Sequence, residues 1–330
     1  MKSLPPAEPH LSEDEAEAAF GALLDAETSE EEVARFLVEL SERGETAAEI
    51  AGAARALRAR MIGIDAPANA IDVCGTGGDG HHTLNVSTAV ALVVAACGVP
   101  VAKHGNRAAS SKAGAADTLE ALGLDMEKAG RTAEKSLNDL GICFLFAANH
   151  HPAMRRIQPI RKRIGRRTIF NLMGPLSNPA QVGRQLIGIA RPAYVPIYAQ
   201  AMAALGTERS MIVSGDEGLD ELSLAAGNEF ADVVGNDFEM HRFDCAQAGL
   251  AHAPVEAIRG GDAAHNAAAL RALLMGAPGP YRDAVLLNSA AALLIAGEVA
   301  DWRDGVEEAA EAIDKGLAKA LLDCWIAAVH

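Results

Sequence analysis

The chain has 330 residues, half of them hydrophobic, and a formal net charge of −15. This length suits one large domain or two smaller ones with a sizeable core, and no apolar run reaches the length of a membrane span. The negative charge argues against general nucleic-acid binding, but it does not exclude a local site for a small anion.

The chain begins with an acidic segment that lacks the basic end and apolar block of a secretory signal. Five cysteines, at positions 74, 97, 143, 245 and 324, are scattered and show no metal-ligand spacing. This usage is typical of reduced, buried thiols. We therefore predict a cytoplasmic protein.

The first 60 residues predict three helices, because three capping-box patterns each precede an apolar repeat of helical spacing. The patterns are Ser12/Glu15, Ser29/Glu32 and Thr46/Glu49. The segment GIDAPANA that follows contains a turn-forming proline and is typical of a linker. We predict a mainly helical domain over residues 1–68, with part of 165–190 as a candidate addition.

From about Ile71, short apolar runs alternate with helical stretches, which is the pattern of βα units on a mostly parallel sheet. The predicted strands are IDVC, VPVAKH, ICFLFA, QLIGIA and RSMIVSG, and EFADVV with EMHRF predicts a hairpin around GND. After Gly260 the pattern is again helical. The predicted fold class is α/β, with a small N-terminal helical domain and a larger α/β domain over residues 69–330.

The segment from Gly75 to Gly80 matches G-x-G-x-x-G, the glycine pattern of a dinucleotide-binding loop. That fingerprint needs an acid about 20 residues later, and the chain has no Asp or Glu from His81 to Ala116. No G-K-[ST] follows, which excludes a Walker loop. Glycines let the backbone approach an anion closely. With a helix beginning near Asn85, the loop predicts an anion site; a tight turn alone would explain one or two glycines.

The acid-free segment spans 36 residues, where 44 acids in 330 residues predict about five by chance. It contains basic and histidine side chains: Lys103, Arg107, Lys112, His81, His82 and His104. Ligands of a parallel sheet bind at the carboxyl ends of its strands. We therefore expect the loops Gly75–Thr88 and Lys103–Ser111 to meet there and form a basic pocket for a polyanion.

The motif SGDEGLDELS places four carboxylates within six residues, directly after an apolar strand. Mg²⁺ prefers a few carboxylates together with phosphate oxygens and water. Asp220 and Glu221 are adjacent, so in an extended chain they point apart. One can then bind a metal ion while the other binds a second ion or a water. The alternative interpretation is a solvated acidic turn.

Four ordered motifs together resemble the anthranilate phosphoribosyltransferases: GTGGDG…NVST, KHGNR…SSKAGAAD, HHPAM…RKRIGRRTIFNLMGPLSNP and GDEGLDELS. The resemblance covers nearly the whole chain. It implies transfer of phosphoribose from 5-phosphoribosyl 1-pyrophosphate (PRPP) to the amine of anthranilate, with Mg²⁺, in tryptophan biosynthesis. It also implies a homodimer joined through the helical domain. The net charge and the lack of a membrane-length apolar run predict that nucleic acid and membrane are not partners. A pyrimidine nucleoside phosphorylase-like enzyme and a non-catalytic binding protein of the same fold are the alternatives.

The resemblance implies a set of binding residues and no single acid, base or nucleophile. The PRPP residues are Gly75, Thr76, Gly78, Asp79, Asn85, Ser87, Thr88, Lys103 and Ala115. The anthranilate residues are Gly75, Asn106, His151, Arg161, Gly174 and Pro175. The metal contacts are Ser87, Asp220 and Glu221. An arginine fork suits a carboxylate, whereas a histidine at the start of a helix is, on spacing alone, more often structural.

Two positions depart from the family pattern. Ala115 stands where the family commonly has a phosphate-contacting serine, and SLAAGNE replaces the Gly-Pro-Thr that often follows the acidic motif. Neither change removes the catalytic set. An aryl amine is neutral and nucleophilic at pH 7, so the chemistry predicts catalysis by positioning and electrostatics without a covalent intermediate.

Overall fold

The computed structural model describes residues 3–108 and 112–329. In these residues a seven-stranded sheet has the order β3-β2-β1-β4-β5-β6-β7. The strands are β1 (Ile71–Gly75), β2 (Val101–Gly105), β3 (Ile142–Phe146), β4 (Arg184–Gly188), β5 (Thr207–Gly215), β6 (Asn228–Gly235) and β7 (Asp237–Phe243). Strands β1 to β5 are parallel, whereas β6 pairs antiparallel with β5 and β7 pairs antiparallel with β6. The predicted α/β class with a mostly parallel sheet is confirmed.

Helices cover both faces of the sheet. Those of the described residues are α1 (Glu13–Leu24), α2 (Glu30–Arg43), α3 (Ala47–Arg58), α4 (Val86–Ala96), α5 (Ala115–Ala121), α6 (Met126–Arg131), α7 (Ala133–Leu140), α8 (Ala147–His150), α9 (Met154–Ile164), α10 (Met173–Leu176), α11 (Val195–Leu205), α12 (Ala263–Leu274), α13 (Pro280–Ala296), α14 (Trp302–Asp314) and α15 (Leu317–Ala328). None of them has both the length and the apolar character needed to cross a membrane.

The N-terminal helices begin where their capping residues predict. The caps of α1 and α3 are reciprocal boxes. At α2 only half of the predicted capping box forms. Ser29 Oγ accepts the Glu32 N–H at 3.2 Å, but the Glu32 side chain does not accept from the Ser29 N–H. The Glu32 carboxylate accepts instead from Ser3 Oγ at 2.9 Å and from the Leu4 N–H at 2.7 Å. This side chain therefore fastens the segment before α1 to α2.

The two largest hydrophobic cores of the described residues lie on opposite faces of the sheet. One packs α4, α5 and the helices α12 to α15 on one face. The other packs α1 to α3 together with α9, α10 and α11 on the opposite face, and it includes Ile157, Phe170 and Met173. The chain between β3 and β4 thus leaves the sheet and packs with the N-terminal helices, which share their core with the sheet.

The parallel strands β1, β2, β4 and β5 all end at the same edge of the sheet. Gly75 and Gly188 pair in register at the ends of β1 and β4. A Cβ on Gly188 would lie 1.6 Å from the carbonyl oxygen of Asp220, and one on Gly75 would lie 2.3 Å from Asp220 Oδ2. The two glycines therefore let the acidic turn after β5 lie directly against the strand ends.

Candidate active site

An open cleft of about 1170 Å³ lies at this edge, between the loops that follow β1, β2 and β5. It is lined by Gly75, Thr76, Gly78, Asp79, Asn85, Ser87, Lys103 and Ala115, which are eight of the nine predicted PRPP residues. The ninth, Thr88, is buried in α4. The two predicted loops meet here, although residues 109–111, at the end of the second loop, lie outside the described residues.

The glycine loop needs each of its four glycines. Gly77, Gly78 and Gly80 have φ values of 69°, 74° and 85°, a region that is unfavourable for residues with a Cβ. Gly75 has no space for a Cβ beside Asp220. The Gly77 N–H donates to Asp220 Oδ2 at 2.7 Å. The loop is therefore more than a tight turn, because its glycines allow close contact with Asp220 in the acidic turn after β5.

Asp220 and Glu221 reach different loops, as expected for adjacent residues. Glu221 Oε1 accepts the Ser87 N–H at 3.2 Å in the first turn of α4, whereas Asp220 binds the glycine loop. Burial raises the pKa of both carboxyls, and the charge of Asp79 raises that of Asp220 further. Partly buried carboxylates in this arrangement gain stability from a bound cation.

The other two carboxylates of the acidic motif do not line the cleft. Asp216 is exposed and pairs with Arg242 at 2.5 Å. Glu217 accepts a hydrogen bond from Ser223 Oγ. The interpretation as a solvated acidic turn therefore applies to the first acid of the motif and not to the adjacent pair.

The predicted basic pocket is only partly right. Lys103 is 3% exposed at the bottom of the cleft, and its Nζ donates to Ser87 Oγ at 3.2 Å. Arg107 also lines the cleft, but its Nη1 pairs with Asp117 at 2.9 Å and with Glu120 at 2.8 Å. These two acids follow the acid-free segment directly, and they offset the arginine charge.

Asn85 joins four helices at the back of the cleft. Its Oδ1 accepts from Thr118 Oγ1 at 2.5 Å and from Asn266 Nδ2 at 2.9 Å. Its backbone carbonyl accepts from the Tyr281 hydroxyl at 3.2 Å. The two later partners were missed by the sequence analysis, because nothing near them in the sequence marks a contact with α4.

A second cleft of about 930 Å³ adjoins the first. Four of the six predicted anthranilate residues line it: Asn106, His151, Arg161 and Gly174. Gly75 lines the first cleft instead. Pro175 is buried, and its carbonyl accepts from Gln185 Nε2 at 2.8 Å. His104 and Asn106 line both clefts and form their common wall.

Two arginines line the second cleft, Arg155, which is exposed, and Arg161, which is half-buried. The guanidinium carbon of Arg161 lies 6.0 Å from the ring centroid of Phe170. Burial lowers the pKa of Arg161, and no carboxylate in the described part of the chain raises it. A half-buried guanidinium without an acidic partner is suited to bind a carboxylate through two parallel hydrogen bonds.

His104 and His151 are neutral, adjacent side chains at the second cleft. Their ring centroids are 5.2 Å apart, and His104 Nδ1 lies 2.9 Å from the Gly174 carbonyl oxygen. Burial lowers the pKa of His104 to about 3 and that of His151 to about 4. Within the described residues, His104 Nε2 and both ring nitrogens of His151 have no hydrogen-bond partner. His104 was predicted as part of the basic loop, but it contributes a neutral ring.

Known proteins match the chain over its whole length. The model of the glycosyl transferase family helical bundle domain matches residues 7–61, and that of the a/b domain of the same family matches residues 67–319. An anthranilate phosphoribosyltransferase from Erythrobacter litoralis is 73% identical over 326 residues, which cover 99% of this chain and 99% of the relative.

Solved structures show the same likeness. Anthranilate phosphoribosyltransferase from Thermus thermophilus is 42% identical, with a TM-score of 0.92 over 97% of this chain and 96% of the other. The enzyme from Saccharomyces cerevisiae, in complex with PRPP and Mg, is 29% identical, with a TM-score of 0.89 over 99% and 96%. The chain therefore belongs to the anthranilate phosphoribosyltransferase family of pentosyl-transferring glycosyltransferases in tryptophan biosynthesis.

Proposed function

We propose that this chain transfers phosphoribose from PRPP to the amine of anthranilate and releases pyrophosphate. The observation that carries the proposal is the pair of clefts that share His104 and Asn106. The first cleft has backbone N–H groups, a lysine and an acid pair, as a phosphorylated sugar with a bound cation requires. The second has a guanidinium without an acidic partner beside an aromatic ring, as an aromatic acid requires.

The first cleft is the proposed PRPP site, with the nine predicted residues in their original roles. The glycine loop and the first turn of α4 offer N–H groups to phosphate oxygens. Lys103 Nζ is held beside Ser87 and adds positive charge at the bottom. Thr88 stays in the set because its buried hydroxyl has no partner among residues 3–108 and 112–329.

Ser87, Asp220 and Glu221 are the residues that would hold Mg²⁺. They fit this ion because they offer hard oxygen donors, and because burial raises the pKa of both carboxyls when no cation is beside them. When bound, Mg²⁺ supplies positive charge that stabilises the departing pyrophosphate. The S. cerevisiae relative in complex with PRPP and Mg supports this assignment.

The second cleft is the proposed anthranilate site. Arg161 binds the carboxylate, and the apolar side chains of Phe170 and Met173 border the space for the ring. Asn106 supplies an amide on the wall toward the sugar. His151, neutral at pH 7, borders the ring without adding charge. Gly75 contributes backbone to the first cleft and Gly174 to the second, and the buried Pro175 follows Gly174 in α10.

The reaction then needs positioning more than proton transfer. The neutral amine of anthranilate attacks the anomeric carbon as the bond from that carbon to pyrophosphate breaks. The nitrogen then loses one proton to the departing pyrophosphate or to water, which leaves a neutral secondary amine. Lys103 and the loop N–H groups stabilise the charge on the leaving group. Holding the amine in line with the anomeric carbon lowers the entropic part of the barrier. No side chain is assigned as a covalent nucleophile.

One assay with two substrate pairs tests this function. With PRPP, anthranilate and MgCl₂, we expect anthranilate fluorescence to fall with time. A pyrimidine nucleoside phosphorylase would instead release base from a nucleoside and phosphate. Turnover with the nucleoside pair alone would overturn the proposal, and so would a folded protein that turns over neither pair.

We also propose a cytoplasmic homodimer, with a helical domain over residues 1–68 that joins the protomers and an α/β domain over residues 69–330. The family resemblance supports the dimer, and the scattered cysteines support a reducing compartment. Light scattering on the purified protein tests the dimer, for which we expect twice the mass of one chain. The mass of one chain would contradict it.

A further inference from the structure

Arg167 lies directly against the glycine loop. Its Nη1 donates to the carbonyl oxygen of Gly78 at 2.8 Å and to that of Gly77 at 3.2 Å, and its Nη2 donates to the same Gly77 oxygen at 3.2 Å. A Cβ on Gly78 would lie 2.4 Å from Arg167 Nη1. One guanidinium therefore holds two consecutive carbonyls of the proposed phosphate-binding loop.

The contact with Arg167 also sets the direction of the N–H groups that share a peptide with these two carbonyls. In a planar trans peptide, the C=O and N–H bonds point in opposite directions. The Gly77 carbonyl shares its peptide with the Gly78 N–H, and the Gly78 carbonyl shares the next one with the Asp79 N–H. Because both carbonyls face Arg167, both N–H groups point away from it. Neither has a hydrogen-bond partner within residues 3–108 and 112–329, and both residues line the first cleft.

The backbone of Arg167 is anchored outside the sheet. Its carbonyl oxygen accepts from Ser41 Oγ of α2 at 2.9 Å. The preceding residue, Arg166, is exposed, and its guanidinium pairs with Glu42 at 2.7 Å. Two adjacent arginines thus have different surroundings, since one contacts the loop and the other a surface acid of α2.

We propose that Arg167 is a positioning residue for PRPP, which fixes the two carbonyls so that the N–H groups of Gly78 and Asp79 face the pyrophosphate. This inference rests on the proposed function and deepens it. Arg167 acts through the loop backbone, and its bond with Ser41 connects the shape of that loop to α2.

Kinetics of three variants test the role. In Arg167→Ala, we expect the KM for PRPP to rise about 10- to 100-fold, as loss of charge-assisted hydrogen bonds implies. The anthranilate KM and kcat should change less than about threefold. Arg167→Lys should recover only part of the loss, because an ammonium lacks the fork that reaches two carbonyls. Arg166→Ala is the matched control, and it should leave both KM values within about twofold.

Hydrogen exchange of the ligand-free protein separates positioning from direct contact with phosphate. Between residues 76 and 81, three amides of the loop are hydrogen-bonded, those of Thr76, Gly77 and His81. If Arg167 holds the loop, these amides should exchange at least about tenfold faster in Arg167→Ala and at the normal rate in Arg166→Ala. A raised PRPP KM with unchanged exchange would overturn the positioning role, and so would an unchanged KM.

This measurement is independent of turnover. Absence of turnover in the unaltered protein would overturn the proposed function. Hydrogen exchange of the loop amides would still show whether Arg167 restrains the loop. A melting curve shows whether each variant is folded. Should Arg167→Ala not fold, the same two measurements on Arg167→Lys decide the question.

Discussion

Arg161 is a half-buried cation whose charge no carboxylate in the described part of the chain offsets. Burying such a charge costs free energy unless an anion pairs with it. The second cleft provides space for an anion beside this guanidinium and the ring of Phe170. At the scale of the residue, the lack of an acidic partner is therefore the strongest sign of a carboxylate ligand.

For Arg161→Ala, we expect the anthranilate KM to rise about 10- to 150-fold, since a hydrogen bond to a charged group contributes roughly 1.5–3 kcal/mol. Arg161→Lys should recover part of this loss, because a lysine lacks the bidentate fork. Steady-state kinetics with each substrate varied provide the check. A change confined to the PRPP KM would assign Arg161 to the other substrate.

Ala115→Ser tests the departure from the family pattern. Ala115 is the first residue of α5 and lines the first cleft. A serine hydroxyl there adds a donor to phosphate, which contributes about 1 kcal/mol net and lowers the PRPP KM about fivefold. The anthranilate KM should stay unchanged. An unchanged or raised PRPP KM in a folded variant would show that this position makes no phosphate contact, as when a water already fills the gap.

The different directions of two adjacent acids were predictable from the sequence. Asp220 accepts from the Gly77 N–H and Glu221 from the Ser87 N–H, so the two side chains reach different loops even though they lie in a bend and not in an extended strand. The error at Arg107 arose because charge was counted only within the acid-free segment, and the loop folds back onto the acids just beyond it. The hydrogen bond from Asn266 to Asn85 joins residues 181 positions apart, and only the tertiary fold brings them together.

At the scale of elements, the site depends on strands that end in glycine. The acidic turn lies against the paired residues Gly75 and Gly188, so that Asp220 reaches the loop after β1. The hydrogen bond from the Gly77 N–H to Asp220 therefore joins the turn after β5 to the loop after β1. The position of the acid pair therefore depends on close approach of backbone to backbone as well as on the acidic motif.

We expect Gly188→Ala to displace the acidic turn, because its Cβ would lie 1.6 Å from the Asp220 carbonyl oxygen. Overpacking of this kind costs roughly 1–3 kcal/mol of stability, and turnover should fall about 100-fold or more because the acids move. Gly63→Ala is the control, since its Cβ would have its nearest contact at 3.4 Å, an ordinary distance. Melting curves and kinetics that are alike for the two variants would contradict this account.

Replacement of the acid pair, Asp220→Asn with Glu221→Gln, keeps the shape of both side chains and removes their charge. We expect turnover to fall at least ~100-fold through lost electrostatic stabilisation. Calorimetry with MgCl₂ and pyrophosphate should show loss of metal-dependent binding. Asp216→Asn, in the same motif but facing Arg242, should keep both properties. Normal binding and turnover in the folded double variant would contradict the proposal that the pair binds the metal ion.

Elements were predictable where the local pattern determines them. The strand predicted from Val99 begins at Val101, because a proline at position 100 cannot donate to the ladder. The second strand of the hairpin begins at Asp237, earlier than its apolar pattern, because Val234 pairs with Asp237 across a two-residue turn. Turn geometry, rather than apolar residues, sets that boundary.

At the scale of the whole molecule, the order of a helical part, an α/β part and a helical end was readable from the sequence. The return of residues 154–176 to the N-terminal helices was predicted only as a candidate addition from 165–190. An amphipathic pattern shows that one face of a helix is buried, but it does not show which element covers that face. Two cores on opposite faces of one sheet are therefore beyond local patterns.

Stability of the whole fold should fall in mild acid because His104 is buried and neutral. Its pKa is lowered from 6.5 to about 3, so below pH 6.5 the unfolded chain binds a proton that the folded chain does not. This linkage removes up to about 2 kcal/mol from the free energy of unfolding by about pH 5. In His104→Asn, the free energy of unfolding from denaturant titrations should therefore fall by up to about 2 kcal/mol less between pH 7 and 5 than in the unaltered protein.

The control for this linkage is His265→Asn, since His265 is exposed. Its pH dependence should match that of the unaltered protein. If His104→Asn also matched it, the imidazole would not be the group that resists protonation in the folded state.

The wall that the two clefts share has a pharmacological consequence. Since His104 and Asn106 border both spaces, one molecule that joins an aromatic acid to a phosphorylated sugar can fill both at once. A short linker makes the second contact intramolecular, and avidity can then exceed either half alone by about 10²–10⁴. Such an inhibitor should compete with PRPP and with anthranilate in the same assay. In Arg161→Ala, the affinity of this inhibitor should fall to nearly that of its phosphorylated sugar alone.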